Sequence, residues 1–152
     1  MTEIGVITDS HRAWRNIDAV LPLFENCRYI LHLGDHESDM DDFSEVNDRL
    51  IKVPGNCDFF SMMPGKRILE AEGVKIFICH GDAYGVKMTL RRLAEKAAKE
   101  ECALALYGHT HIARDCEVNG VRLINPGALK DGRYAIVTID DTKISAQLMD
   151  LG

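Results

Sequence analysis

This sequence is short of the features that mark several large protein classes. No apolar run approaches the length of a membrane span, so a membrane partner is not expected. The start lacks the basic stretch that precedes an export signal, and an acid, Asp9, follows soon after. There is no linker, internal repeat or low-complexity tract, so residues 1–152 read as one domain, large enough to bury its own core. The five cysteines (Cys27, Cys57, Cys79, Cys102 and Cys116) are odd in number and contain no Cys-x-x-Cys pair. That argues against a structural zinc knuckle and for reduced thiols in a cytoplasmic protein. Basic residues are also scarce: 18 Lys and Arg face 24 Asp and Glu, for a net charge of -6. A protein held on long nucleic acid by the phosphate backbone is not expected, although a short nucleotide substrate stays open.

What is present is an ordinary globular composition, 46% hydrophobic and 28% charged, arranged as short strands and helices. Strands are expected at 3–8, 29–33, 50–53 and 102–107 from their β-branched and apolar runs. Helices are expected where Ala13, Ile17, Val20 and Phe24, and later Val86, Leu90, Leu93 and Ala97, recur at helical spacing, with Pro22 kinking or shortening the last turn of the first. The acidic stretch 37–48 reads as a short amphipathic helix or loop with a solvated face. Hairpins are expected about Glu72-Gly73, Asn119-Gly120 and Asp140-Asp141. Strand-helix alternation in the first two thirds predicts a parallel sheet, and the later hairpins predict a second, mostly antiparallel layer. The fold class is α/β, with two packed β-sheets flanked by helices.

The chemistry gathers where strands end. Gly108-His109-Thr110-His111 follows an apolar strand, and two imidazoles at i and i+2 of an extended segment point the same way. Four further strands end in metal-binding residue types: Asp9 with His11, Asp35, Asn56 and His80. The carboxyl ends of parallel strands form a common rim, so residues scattered along the chain can converge there. Seven oxygen and nitrogen ligands are too many for one tetrahedral zinc and suit two ions with shared and open positions, with Asp35 the natural bridge. The lack of thiolate favours manganese, iron, nickel, cobalt or zinc over a sulfur site.

Taken together, Asp9-x-His11, Gly34-Asp35, Gly55-Asn56, His80-Gly81 and Gly108-His109-x-His111 resemble the five motifs of the calcineurin-like metallophosphoesterases. The small size resembles their compact single-domain phosphodiesterase branch, and Asn125-Pro126-Gly127 adds to that likeness. The resemblance implies a four-layer α-β-β-α fold and two divalent ions, Mn2+ first among the candidates. It assigns Asp9, His11, Asp35 and His111 to one ion and Asp35, Asn56, His80 and His109 to the other. It also implies hydrolysis of a small phosphodiester by a metal-bridging hydroxide. Many family members carry a histidine after the asparagine of the third motif; here that position is Cys57, a poorer general acid at an ordinary thiol pKa. His36 reads either as its replacement or as a surface loop histidine. Arg12 either holds a substrate phosphate, narrows the pocket or faces water. His32 is expected in the core or behind the ligands, and Asp58 and Asp82 either orient ligands or serve turn chemistry. The rival implied by the resemblance is a Vps29-type scaffold that binds protein partners with little catalysis. A homo-oligomer paired through the last hairpins is a further expectation.

Overall fold

A computed structural model describes residues 1–152. Strands β1 (Thr2–Ile7), β2 (Tyr29–His32) and β3 (Leu50–Lys52) pair in parallel, and β9 (Arg133–Asp140) and β10 (Lys143–Asp150) extend that sheet antiparallel in the order β10-β9-β1-β2-β3. The second sheet contains β4 (Lys66–Ala71), β5 (Val74–Cys79), β6 (Leu104–Leu106), β7 (Arg114–Val118) and β8 (Val121–Asn125). Its order is β4-β5-β6-β8-β7, with β5, β6 and β8 parallel and the two edges antiparallel. Both sheets are therefore mixed, which corrects the expected division into one parallel and one antiparallel layer. The last third of the chain is shared: the β7-β8 hairpin joins the second sheet, whereas β9 returns to pair with β1.

Alternation along the strands builds the layers. Ile4 and Val6 of β1 join Ile76 and Ile78 of β5, Leu104 and Leu106 of β6 and Val137 of β9 in one core between the sheets. The opposite faces send Ile7 and Ile30 against helix α1 (Trp14–Val20), and Phe77, Ala105 and Leu123 against helix α2 (Arg91–Lys99). The result is α-β-β-α. A 3-10 turn, Leu21–Phe24, replaces the end of the first expected helix at Pro22. Regular helix in the second begins only at Arg91, after a left-handed Gly85 (φ 62°) and a run of turns over 86–90, although Val86 and Leu90 still pack in the expected core. Left-handed pairs at Glu72-Gly73 and Asn119-Gly120 make the expected two-residue turns; the last turn falls at Asp141-Thr142, one residue later than expected.

Candidate metal centre

The parallel strands of both sheets end on one rim, and the turns that follow them carry the expected ligands. In two groups, one ligand atom from each residue lies within 4.8 Å of the others: Asp9, His11, Asp35 and His111, and Asp35, His80 and His109. Asp35 is common to both. Asn56 sits in the turn after β3 with its side chain exposed, its amide 3.7 Å from Cys57 Sγ.

Each carboxylate is divided between the scaffold and the site. Asp9 is fully buried; its Oδ2 accepts from the Thr8 hydroxyl at 2.8 Å and the His109 N–H at 3.1 Å. That leaves Oδ1 facing His111 Nε2 at 3.1 Å and His11 Nε2 at 3.8 Å. Asp35 follows the same plan. Its Oδ1 accepts the Cys57 N–H at 2.9 Å, and Oδ2 faces His80 Nε2 at 3.4 Å and His11 Nε2 at 3.8 Å.

His80 Nδ1 lies 2.9 Å from the Leu33 carbonyl, which can only accept, so Nδ1 carries the proton and Nε2 turns its lone pair inward. There it meets Asp35 Oδ2 and His109 Nδ1, the latter at 3.2 Å. Acceptors in such proximity call for a positive charge between them. Burial opposes a charged His80, but its hydrogen bond to Asp35 and the Asp9 and Asp35 charges outweigh that and raise its pKa. Burial likewise works against the Asp35 charge; bonding from His80 and the Cys57 N–H holds that carboxyl well below the usual range. His11 and His109 are pushed down chiefly by burial and so favour their neutral, ligating form. His11 Nε2 is also buried without a hydrogen-bond partner. An orphaned nitrogen between two carboxylates, in a donor set of imidazole and carboxylate, fits divalent metal ions.

The turns that present these groups are strained. Asp9, His11, Arg12, Asp35, His36, His109 and His111 all have φ between 42° and 71°, a region that costs an L-residue about 1–2 kcal/mol. Polar groups behind the ligands hold them there. Asp58 accepts the N–H groups of Asp35, His36 and Gly55 at 2.8 Å and of Glu37 at 3.3 Å, which makes it an anchor of two ligand turns. Asp82 is exposed and bonds no ligand turn. His32 is fully buried: Nδ1 accepts the Gly34 N–H at 3.1 Å, so Nε2–H donates to Ser10 Oγ at 2.8 Å. Ser10 in turn donates to Asp39 Oδ2 at 2.8 Å, which also accepts the Arg12 N–H at 2.7 Å. Asp41, Asp42, Glu45 and Asp48 form the expected solvated face of 37–48, and Asp39 and Glu37 depart from it. Both are buried, Glu37 paired with Lys52 at 2.8 Å, and the segment forms 3-10 turns at Glu37–Asp42 and Ser44–Val46. Asn125, also buried, donates to the Gly108 carbonyl and Thr110 Oγ1, both at 3.0 Å, and pins the His109 loop.

Close packing completes the fit. A Cβ on Gly55 would stand 2.5 Å from the Asp35 nitrogen, and one on Gly108 would stand 2.8 Å from Asp9 Oδ2, closer still to the Thr8 hydroxyl. At the mouth, Arg12, His36, Cys57 and the exposed Phe59 line a depression of about 340 Å3, and the His36 ring lies 5.0 Å from that of His11. Burial and the Asp35 charge raise the Cys57 thiol, which stays protonated.

Known proteins with the same pattern share this architecture. The family model described as calcineurin-like phosphoesterase superfamily domain matches residues 2–142. The probable metallophosphoesterase YsnB of Bacillus subtilis is 28% identical over 95% of this chain and 89% of its own length. The phosphodiesterase MJ0936 of Methanocaldococcus jannaschii is 29% identical over 82% of each chain. Vps29 of Chaetomium thermophilum, at 16% identity, superposes with a TM-score of 0.79 over 95% of this chain and 85% of its own, a likeness of fold. With a match over nearly its whole length and ligand types gathered at the ends of its parallel strands, the chain belongs to the calcineurin-like phosphoesterase superfamily, as a metal-dependent phosphoesterase.

Proposed function

We propose that this protein is a cytoplasmic phosphodiesterase that binds two divalent ions, manganese foremost, and hydrolyses small phosphodiesters. The observation that carries the reading is Asp35, whose one free oxygen serves both donor groups. In this reading Asp9, His11, Asp35 and His111 hold one ion, and Asp35, Asn56, His80 and His109 the other. When bound, such a pair supplies an activated water and neutralises charge on the phosphoryl oxygens. The chain's own groups do the rest. The strained turns keep the donors in place before ions arrive, and the Arg12 guanidinium at the mouth is placed to hold a non-bridging phosphate oxygen. His36 shares that mouth with Cys57 and is the better proton donor to a leaving alkoxide, because the thiol is pushed above its ordinary pKa. With no imidazole at position 57, good leaving groups such as aryl oxides are the favoured substrates.

The test is hydrolysis of an aryl phosphodiester beside the matching monoester, on chelator-stripped protein repleted with manganese, nickel, zinc or magnesium in turn. Metal-restored turnover that prefers the diester is expected, and Asp35→Ala should abolish it. Binding of two ions with no cleavage of any phosphoester would instead favour a scaffold working through protein partners, the reading to which the Vps29 likeness of fold lends weight.

A further inference from the structure

On the flank of the centre away from Arg12 and Cys57 lies a second pocket, of about 410 Å3. It is built onto the ligand turns themselves. Thr110, between His109 and His111, forms part of its wall, and Gly81, next to His80, packs against two of its lining residues: a Cβ there would lie 2.9 Å from Val86 and 3.6 Å from Tyr107. Val86 and Leu90 give it an apolar floor continuous with the core around α2, and Ile112, 66% exposed, stands at its edge.

Two features mark it as more than a packing gap. Tyr107 is only 1% exposed yet lines the pocket, and its hydroxyl bonds no protein group. A hydroxyl that no protein group engages is free to donate to a group that enters the pocket. The second feature is charge. Lys87 and Arg114 stand on the rim, neither in an ion pair, on a chain whose net charge is -6.

We propose that this pocket is the subsite for one ester arm of the phosphodiester, and that the arm is an aromatic ring bearing an anionic group such as a carboxylate. The inference rests on the phosphodiesterase reading and narrows its substrate class. The ring covers Val86, Leu90 and Ile112, a ring substituent accepts from the Tyr107 hydroxyl, and the anionic group pairs with Lys87 and Arg114.

The experiment compares three diesters with the same p-nitrophenolate leaving group and different second arms: methyl, phenyl and 4-carboxyphenyl. The wild-type kcat/KM should rise in that order. Lys87→Gln with Arg114→Gln should lower the 4-carboxyphenyl value about tenfold, as two partly screened charge pairs would, and leave the methyl value within about twofold. Tyr107→Phe should lower the 4-carboxyphenyl value through KM and spare the phenyl and methyl ones. An equal loss on all three diesters, or a wild type indifferent to the second arm, overturns the subsite. If no diester is cleaved under any metal, the phosphodiesterase reading falls and the pocket is judged by binding alone. In that case 4-hydroxybenzoate, titrated into zinc-loaded protein at millimolar concentration, should shift the methyl resonances of Val86, Leu90 and Ile112 saturably, and the double variant should abolish this. Absence of those shifts in the wild type overturns the subsite on its own.

Discussion

Replacing Asp58 by Asn tests whether the ligand turns are held from behind. The carboxylate receives four backbone N–H groups, Asp35 and Gly55 on Oδ2, His36 and Glu37 on Oδ1. Asparagine keeps the shape but offers one oxygen, so one pair of donors must face an NH2 group. The retained oxygen should stay with Asp35 and Gly55, both at 2.8 Å, and the His36 bond at 2.8 Å and the weaker Glu37 bond at 3.3 Å are lost. A hydrogen bond to a charged group contributes about 1.5–3 kcal/mol, and the surviving pair loses its charge assistance. Because the site is partly exposed, water re-solvates some of the released N–H groups, and about 3 kcal/mol is a fair sum. For a chain of this size that lowers Tm by about 6–12 °C in calorimetry of the metal-free protein. Loosening the Asp35 turn should also weaken manganese binding about 10–100-fold in isothermal titration. Asp82→Asn is the matched control, another acid that follows a ligand turn but bonds none of its N–H groups, and should stay within about 0.5 kcal/mol of wild type. If the two variants unfold and bind metal alike, the anchoring argument is wrong.

Three other outcomes follow from the same geometry. Burial pushes His32 down to about 3, so it stays neutral in the folded chain while the unfolded state takes up a proton below its ordinary 6.5. Its contribution is intact above that value and lost as pH falls from 6.5 toward 3. At pH 5 the loss is about 2 kcal/mol, and thermal unfolding from pH 7.5 to 5 should be steeper in wild type than in His32→Asn. Gly108→Ala should weaken metal binding, because the added methyl drives against Asp9 Oδ2 and the Thr8 hydroxyl, the bond that sets the carboxylate whose other oxygen faces the ligands; unchanged affinity by titration would contradict this. Cys57→His places an imidazole at the mouth beside His36, and should raise kcat on alkyl diesters with poor leaving groups while leaving aryl diesters little changed. No rise on the alkyl substrates would mean that His36 already supplies the proton.

The layers and the rim were legible because they depend on local patterns. β-Branched content marked β1, the Glu72-Gly73 hairpin signal marked β5, helical spacing marked the apolar faces behind them, and metal-binding residue types at successive strand ends marked the site. Which sheet each late hairpin joins was not legible. The pairing of Ile4 with Val137 spans most of the chain and carries no local signal. The acidic stretch shows the same limit from another side. Asp39 and Asp41 look alike in sequence, but Asp39 is drawn inward by Ser10 and the Arg12 N–H, partners nearly thirty positions earlier, whereas Asp41 lies outside near Lys52. Tyr107 read as one more apolar residue of a strand, and only the missing partner for its hydroxyl singles it out.

The backbone at the ligands explains why so many polar groups are buried around them. Seven residues of the site lie in the left-handed region, where glycine would sit without strain but would supply no donor atom. Glycines occupy the adjacent positions 34, 55 and 108 instead, where close approach is needed, and the residues bearing the side chains accept the strain. That strain amounts to about 1–2 kcal/mol for each residue and would relax if the turns were free. Asp58, Asp39 and Asn125 prevent it by bonding the N–H and C=O groups of those turns, and each lies outside the donor groups themselves. The centre is therefore shaped by the fold before metal arrives, and binding free energy need not be spent on bending the chain. Damage to an anchor should accordingly appear as lost metal affinity even where every ligand remains in place.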